Sequence, residues 1–351
     1  MSAQQDLTNE CASLKLKVKM KKAEFTILST QRPYKCIMEL LPDSVNEIHI
    51  PPDPNNYDLG LIEGKTILIT TDNSEYKFVN TCERRGIKYG VILTGCENID
   101  NYMGYLGSDN CIFIVRNYLQ PLALAIAKRL GCEKKILTVR VQCSDIFYEN
   151  IKSAANQERD INWFFYGELK LGRVDFLKAF LKIMPDGHLG FTKQGFEIDN
   201  NKTTALKTDE YINCLKRSKF APCPMGWINI DTVRLYEALD AGAVPVVLSN
   251  LSGEHSHPCY WEELFGTNDI PFIIESNWHL AAQRCLDIIE DGSYEDLQNK
   301  CEIFWAKTNL DWKKKISTYF DMLKSARNDP PASHLSPIAL SAERYLTLHT
   351  L

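Results

Sequence analysis

The feature that most constrains this chain is an alternation, run through twice, of strand-sized apolar stretches with helix-sized amphipathic ones. Lys65-Thr-Ile-Leu-Ile-Thr-Thr71 reads as a fully buried strand. Asp72-Asn-Ser74 supplies capping side chains, and Glu75 to Arg85 follows as a helix stopped at Gly86. Ile87 to Leu93 and Asn110 to Arg116 read as strands, Leu119 to Leu130 as a helix closed by Gly131, and Lys135 to Val141 as a further strand. Earlier strands are expected at Glu24 to Ser29 and Glu47 to Ile50, with a proline-rich loop over Pro51 to Asn56. Short buried strands joined through helices belong to a parallel sheet, because parallel neighbours need a long crossover connection.

The polar, helix-like stretch from Ser144 to Asp160 marks the crossing into a second unit, where the rhythm restarts. Strands are expected at Asn162 to Tyr166, Leu189 to Thr192, Lys219 to Pro222, Val244 to Leu248 and Pro271 to Glu275. Helices are expected at Arg173 to Met184, Asp209 to Arg217, Asp231 to Ala241, Trp278 to Ile289 and Tyr294 to Lys324. A last apolar helix, Pro337 to Leu348, follows Pro330-Pro331 and is placed to return to the first unit. At 351 residues the chain exceeds one ordinary core. The expected architecture is therefore α/β, with two Rossmann-like domains: residues 1–155, residues 156–330, and a C-terminal helix in 331–351.

Charge and cysteine usage narrow the function. Forty Lys and Arg against 45 Asp and Glu give a net charge of −5, which repels a polyanion, and the lysines from Lys15 to Lys22 are interleaved with apolar residues. No nucleic-acid partner is expected. The polar opening from Met1 to Glu10 has no apolar signal region, and no apolar run is long enough to span a bilayer. Twelve cysteines lie scattered without a C-x-x-C pair, and read as buried free thiols in a reducing, cytoplasmic setting. The phosphate-binding G-x-x-x-x-G-K-[ST] loop, the dinucleotide G-x-G-x-x-G, the hydrolase G-x-S-x-G and the zinc-binding H-E-x-x-H are all missing. His255, His257 and Cys259 have metal-like spacing but no evident fourth ligand, so they read as a polar loop or a structural metal site.

The chemistry concentrates between Tyr211 and Asn250. A strand runs into the turn Pro222-Cys-Pro-Met-Gly226, and a short loop leads into the helix that starts near Asp231. Leu235, Ala238, Leu239 and Gly242 share the face that packs on the sheet, while Arg234 and Glu237 share another. Such a helix points its N-terminus at the crevice where ligands bind in open α/β sheets. Backbone N–H groups and Arg234 there suit a phosphate, Gly226 permits close approach, and Glu237 can accept from two ribose hydroxyls. By spacing alone, Arg234 and Glu237 are equally an intrahelical surface pair.

The run Ser218-Lys-Phe-x-x-x-Pro-x-Gly226, followed by Arg234-Leu-Tyr-Glu-Ala-Leu-x-x-Gly-x-x-Pro-Val-Val247, resembles the exostosin family of glycosyltransferases. Phe164-Phe-Tyr-Gly-Glu168 with Arg173 resembles the first strand of that family's nucleotide-sugar domain, and Val115-Arg-Asn-Tyr118 is similar to a strand end in related bacterial-type members. The resemblance implies a GT-B-like fold, with parallel sheets facing across a cleft. It also implies a nucleotide-sugar donor held in the second domain, a glycan or other hydroxyl acceptor in the first, inversion at the anomeric carbon, and no cofactor or bound metal. Carried over, Glu237 holds the donor ribose, Arg234 and Arg173 neutralise the diphosphate, Gly167 lets the phosphate approach, and Gly226 lines the pocket. Animal members carry a membrane anchor, so this chain is expected to be the bare catalytic module.

Retaining enzymes of this fold commonly carry a second glutamate eight residues before the ribose-binding one. Asn229 stands there, which favours inversion. Inversion needs a general base for the acceptor hydroxyl; Asp72 is the first candidate, also readable as a plain N-cap, followed by Asp145 and His49. Trp227 stacks on the base or packs locally, and the loop from Ser249 and Asn250 to Glu254 is placed to reach the sugar. The alternative to an active transferase is a catalytically silent nucleotide- or carbohydrate-binding homologue. A sugar-nucleotide epimerase is a third reading.

Overall fold

The computed structural model describes residues 25–328 apart from 31, 44, 46–47, 51–58, 63, 71–75, 96–102, 156, 170–172, 193–205, 227–228 and 251–256. These residues form two parallel five-stranded sheets. The first runs β1 (Thr26–Ser29), β2 (Thr66–Thr70), β3 (Tyr89–Leu93), β4 (Cys111–Asn117) and β5 (Ile136–Val139) in that spatial order. One parallel bridge, Leu28 to His49, extends it beyond β1. The second holds β6 (Ile161–Glu168), β7 (His188–Thr192), β8 (Ser218–Pro222), β9 (Val244–Leu248) and β10 (Ile273–Glu275), ordered β7-β6-β8-β9-β10.

Strand periodicity explains why these runs are apolar throughout. In β2, Ile67 and Ile69 point into one core and Leu68 into the other, so both faces must be hydrophobic. On the first sheet, α1 (Lys35–Met38) and α5 (Asp145–Ser153) contribute Ile37 and Phe147 to one core. On the opposite face, α2 (Tyr76–Arg85), α3 (Met103–Leu106) and α4 (Pro121–Arg129) contribute Phe78, Leu106 and Ala123 to the other. The second sheet carries α6 (Val174–Ile183), α7 (Thr208–Arg217), α8 (Val233–Asp240), α9 (Tyr260–Phe265) and α10 (Trp278–Glu290). Local signals set the ends. Ser144 Oγ accepts the Phe147 N–H at 3.2 Å to start α5. Gly242, at φ 70°, turns the chain out of α8 into β9, and a Cβ there would lie 2.8 Å from Arg159 Nη2.

The halves are tied by α11 (Tyr294–Ser325). Its first turns lie on the second sheet, where Tyr294 packs edge-on against Phe220. Its last turns lie on the first, where Tyr319 stacks on Phe113 at 5.2 Å and donates to Lys134 O at 2.7 Å. Arg140, just past β5, forms an ion pair with Asp240 at the end of α8 at 2.6 Å. Leu119 N donates to Tyr260 Oη at 3.2 Å.

Two doubly wound parallel halves make the GT-B-like α/β architecture expected from the sequence. The described residues bear on three further expectations. Of the strand expected at Glu47 to Ile50, the described residues show the His49 bridge to Leu28, and Glu47 lies outside them. The helix proposed from Ser144 onward stops at Ser153. The C-terminal turns of α11 reach the first sheet, while Pro337 to Leu348, expected to return to the first half, lies outside the described residues, as does the Pro51 to Asn56 loop.

Candidate functional site

Where strand order reverses in an open parallel sheet, flanking helices leave by opposite faces and a crevice opens at the carboxyl ends. In the second sheet that point falls between β6 and β8. Pairing between them is recorded at Ile161 with Ser218 and Trp163 with Phe220, whereas β6 pairs with β7 as far as Glu168 with Thr192. The last residues of β6 therefore border the crevice.

Two arginines fill it from different elements. Arg234, in the first turn of α8, donates from Nη2 to Tyr166 O at 2.6 Å, and its guanidinium carbon sits 4.5 Å from the Phe165 ring centroid. Arg173, at the N-cap of α6, donates from Nη1 to Glu168 O at 2.6 Å and from Nη2 to Met225 O at 3.3 Å; its guanidinium carbon lies 5.7 Å from the same ring. Gly167 makes this possible: a Cβ there would lie 2.6 Å from Arg234 Nη2 and 3.5 Å from Arg173 Nη1.

Among the described residues neither guanidinium forms an ion pair, and the buried Arg234 Nε has no acceptor. Burial and the neighbouring Arg234 charge bring the Arg173 pKa down to about 10. The helix ends add to the positive potential. Thr232, the N-cap of α8, makes no side-chain capping bond, and the first turn of that helix holds no acidic residue. The arrangement brings two guanidinium groups and the N-terminus of α8 to one point.

Glu237, one turn further along α8, completes the site. Its Oε2 accepts from Tyr211 Oη of α7 at 2.7 Å. Burial pushes its carboxyl up, while the Tyr211 hydrogen bond and the Arg234 charge pull it down. Arg234 and Glu237 are thus not an intrahelical ion pair; each turns to a different neighbour. Sequence reading assigned no role to Tyr211. Its signal was a polar aromatic on the apolar face of the helix just before β8, where it packs on Phe164 at 5.4 Å.

The other candidate residues are placed as follows. Gly226 N donates to Asn229 O at 3.4 Å, closing the turn between β8 and α8, and Asn229 is buried. A Cβ at Gly226 would meet only Thr232 Cγ2 at 3.8 Å, so the chain itself does not require glycine there. Trp227 lies outside the described residues. Past β9, Ser249 N continues the ladder to Glu275 O at 2.8 Å, and Asn250 Oδ1 accepts His257 N at 2.6 Å. His257 Nε2 meets Glu263 at 2.9 Å, and His255 is outside the described residues.

In the first half, His49 bridges Leu28 near the carboxyl end of β1, and Asp145 begins α5 after β5, its Oδ1 accepting Lys35 N at 2.7 Å. Asp72, after β2, is outside the described residues. His49 and Asp145 follow or flank carboxyl ends of the first sheet. Asn117 braces that edge: its Oδ1 accepts Gly95 N at 2.8 Å, and its Nδ2 donates to Arg140 O. A cavity of about 390 Å³ lies at the outer edge of the second sheet, lined by Phe272, Glu275, Arg284 and Lys300, and shares no residue with the arginine pair.

The family model of the RXYLT1 C-terminal domain matches residues 177–320, about two fifths of the chain, including Arg234 and Glu237. No curated protein matches the sequence. Similar solved structures include the DNA-modifying enzyme β-glucosyltransferase, at 11% identity and a TM-score of 0.43, covering 85% of this chain and 99% of that one. A T4 phage BGT in complex with its UDP-glucose substrate is similar at 12% identity, with a TM-score of 0.43 and the same coverage of 85% and 99%. The wall teichoic acid polymerase TagF is similar at 10% identity and a TM-score of 0.36, covering 93% of this chain and 88% of that one.

Proposed function

We propose that this protein is a glycosyltransferase that moves a sugar from a nucleotide-sugar donor to a hydroxyl of a glycan or glycoconjugate. The observation that carries the reading is the pair of guanidinium groups, Arg173 and Arg234, held on Phe165 above Gly167 at the switch point without an ion-pair partner among the described residues. Two like charges in a crevice repel each other until an anion arrives. A diphosphate supplies negative charge where the carboxyl end of β6 and two helix N-termini converge. Glu237, one helical turn away, receives the ribose hydroxyls. The family matched over residues 177–320 is exostosin-like, which supports the same reading.

In this mechanism the acceptor hydroxyl gives its proton to a base in the first half, with Asp72, Asp145 and His49 the candidates. Its oxygen forms the new bond to the anomeric carbon from the face opposite the leaving group, inverting that centre. The bond between that carbon and the phosphate oxygen breaks, and the electron pair leaves with the nucleoside diphosphate. Arg173 and Arg234 stabilise the developing charge, the task a divalent cation performs elsewhere. Activity is accordingly expected to survive EDTA.

A thermal-shift panel of UDP, GDP, ADP, CMP and dTDP without metal tests this. Ligand at 100 times its dissociation constant stabilises by about 2.7 kcal/mol, a shift of a few degrees in a chain of this size. One nucleoside diphosphate is expected to stand out and to lose its effect in Arg234→Ala. A flat panel overturns the donor-site reading.

A further inference from the structure

Cys36 lies on α1 and Cys143 on the segment between β5 and α5, 107 residues apart in sequence. Both are buried, 1% and 2% exposed. Cys36 Sγ donates to Cys143 O at 3.9 Å, and Arg140 Nη2 lies 3.6 Å from Cys143 Sγ. The same Nη2 holds Asp240 Oδ2 at 2.6 Å, so this thiol pair touches the ion pair that joins the halves. It stands apart from the other described cysteines. Burial pushes the thiols of Cys82, Cys111, Cys223, Cys285 and Cys301 up, whereas hydrogen bonding to Cys143 and the Arg140 charge bring Cys36 down while Cys143 itself goes up.

We propose that Cys36 and Cys143 are a dithiol modification site, converted to a disulfide by exchange with a small disulfide of the glutathione class. The Cys36 thiolate attacks one sulfur of the small disulfide, forming a mixed disulfide and releasing one small thiolate. That thiolate takes the proton of Cys143. The Cys143 thiolate then attacks the Cys36 sulfur, forming the protein disulfide and expelling the second small thiolate. Two protein thiols are oxidised and one small disulfide is reduced to two thiols. With the Cys36 sulfur already against the Cys143 carbonyl, forming the disulfide requires the two sulfurs to close to about 2.05 Å. Access comes by local opening of α1, a single turn held at its start by the Lys35 N–H to Asp145 Oδ1 hydrogen bond at 2.7 Å.

The test uses the full chain, equilibrated in glutathione buffers from fully reduced to fully oxidised. The samples are quenched in acid, alkylated under denaturing conditions and digested without reduction. The expected product is a peptide pair joined through Cys36 and Cys143 and lighter by two hydrogens, appearing at a more reducing poise than any change at Cys82, Cys111, Cys223, Cys285 or Cys301. In Cys143→Ser the joined pair is lost, and Cys36 carries one glutathione instead. If that variant does not fold, the order of modification in the native chain decides alone. Cys36 and Cys143 remaining alkylatable in the oxidised buffer, or Cys36 keeping glutathione in the native chain, overturns the proposal. Neither readout depends on transferase activity.

Discussion

Arg173 and Arg234 approach the Phe165 ring from separate helices, with guanidinium carbons 5.7 and 4.5 Å from its centroid, and neither has a carboxylate partner among the described residues. Each cation gains from the ring face, by about 0.5–2 kcal/mol depending on solvation. Each also satisfies backbone carbonyls that end strands or loops: Tyr166, Glu168 and Met225. The repulsion left between them is what a dianion would relieve on the proposed reading.

Gly167→Ala separates that function from stability. The added methyl collides with Arg234 Nη2, the far end of a flexible side chain, and the fold accommodates it by moving the guanidinium. Urea denaturation is expected to show a change of about 1 kcal/mol or less, while transfer falls by about 10²-fold or more as a charge-stabilising donor is displaced. A variant with unchanged kcat/KM would remove Gly167 from the site.

Arg234→Ala is expected to cut kcat/KM by about 10²–10³-fold. Its effect on the ligand-free fold is smaller than that of Arg173→Ala. Arg234 makes one backbone hydrogen bond and contributes half of a like-charge repulsion, whereas Arg173 holds both Glu168 O and Met225 O. Melting temperatures of the two variants with and without nucleotide check both halves of this prediction. Equal losses of ligand-free stability would contradict it.

Much of this was legible in the sequence, for physical reasons that can be named. The strands of both sheets are buried on two faces, so each reads as a continuous apolar run, and β9 appears with the bounds expected from Val244 and Leu248. Arg234 and Glu237 were legible as a polar face, but not as two unconnected side chains. Spacing fixes which residues share a helix face, and the partners Tyr166 and Tyr211 come from other elements. Arg140 and Asp240 were not legible at all. They are 100 residues apart, and each alone reads as an ordinary surface charge at the end of an element. The role of α11 was hidden likewise, since a 32-residue amphipathic helix does not announce which of two sheets each end covers.

The Glu237 carboxyl predicts a pH dependence with a definite sign. Its pKa in the folded chain is raised above the ordinary 4.5 by burial, so between those values the native state holds the proton more tightly than the unfolded chain. Its contribution to stability is therefore full below 4.5 and is lost as pH rises through the raised value. Ribose hydroxyls favour the carboxylate, so nucleotide affinity is expected to rise with pH across the same window. Glu237→Gln flattens both profiles and abolishes or cuts transfer by orders of magnitude. Tyr211→Phe removes the hydrogen bond that opposes the shift, so the affinity midpoint moves to higher pH. Calorimetric titrations with the nucleotide across pH check this, and an unchanged midpoint in Tyr211→Phe would sink it.

The Arg140–Asp240 pair predicts a thermodynamic cycle. Arg140 is buried against Tyr148, Tyr236 and Trp305, its guanidinium carbon 5.3–5.7 Å from their ring centroids, while Trp305 Nε1 donates to Asp240 Oδ1 at 2.8 Å. Side-chain exposures of 2% and 12% leave little water to solvate either charge alone. Removing one partner strands the other, so Arg140→Met and Asp240→Leu are each expected to cost about 3–5 kcal/mol. The double variant replaces both charges with apolar groups inside an aromatic cage, and it is expected to cost much less than the sum. Urea unfolding of the four proteins gives the coupling directly. Additive losses would mean that each charge is solvated independently and that the pair does not hold the two halves together.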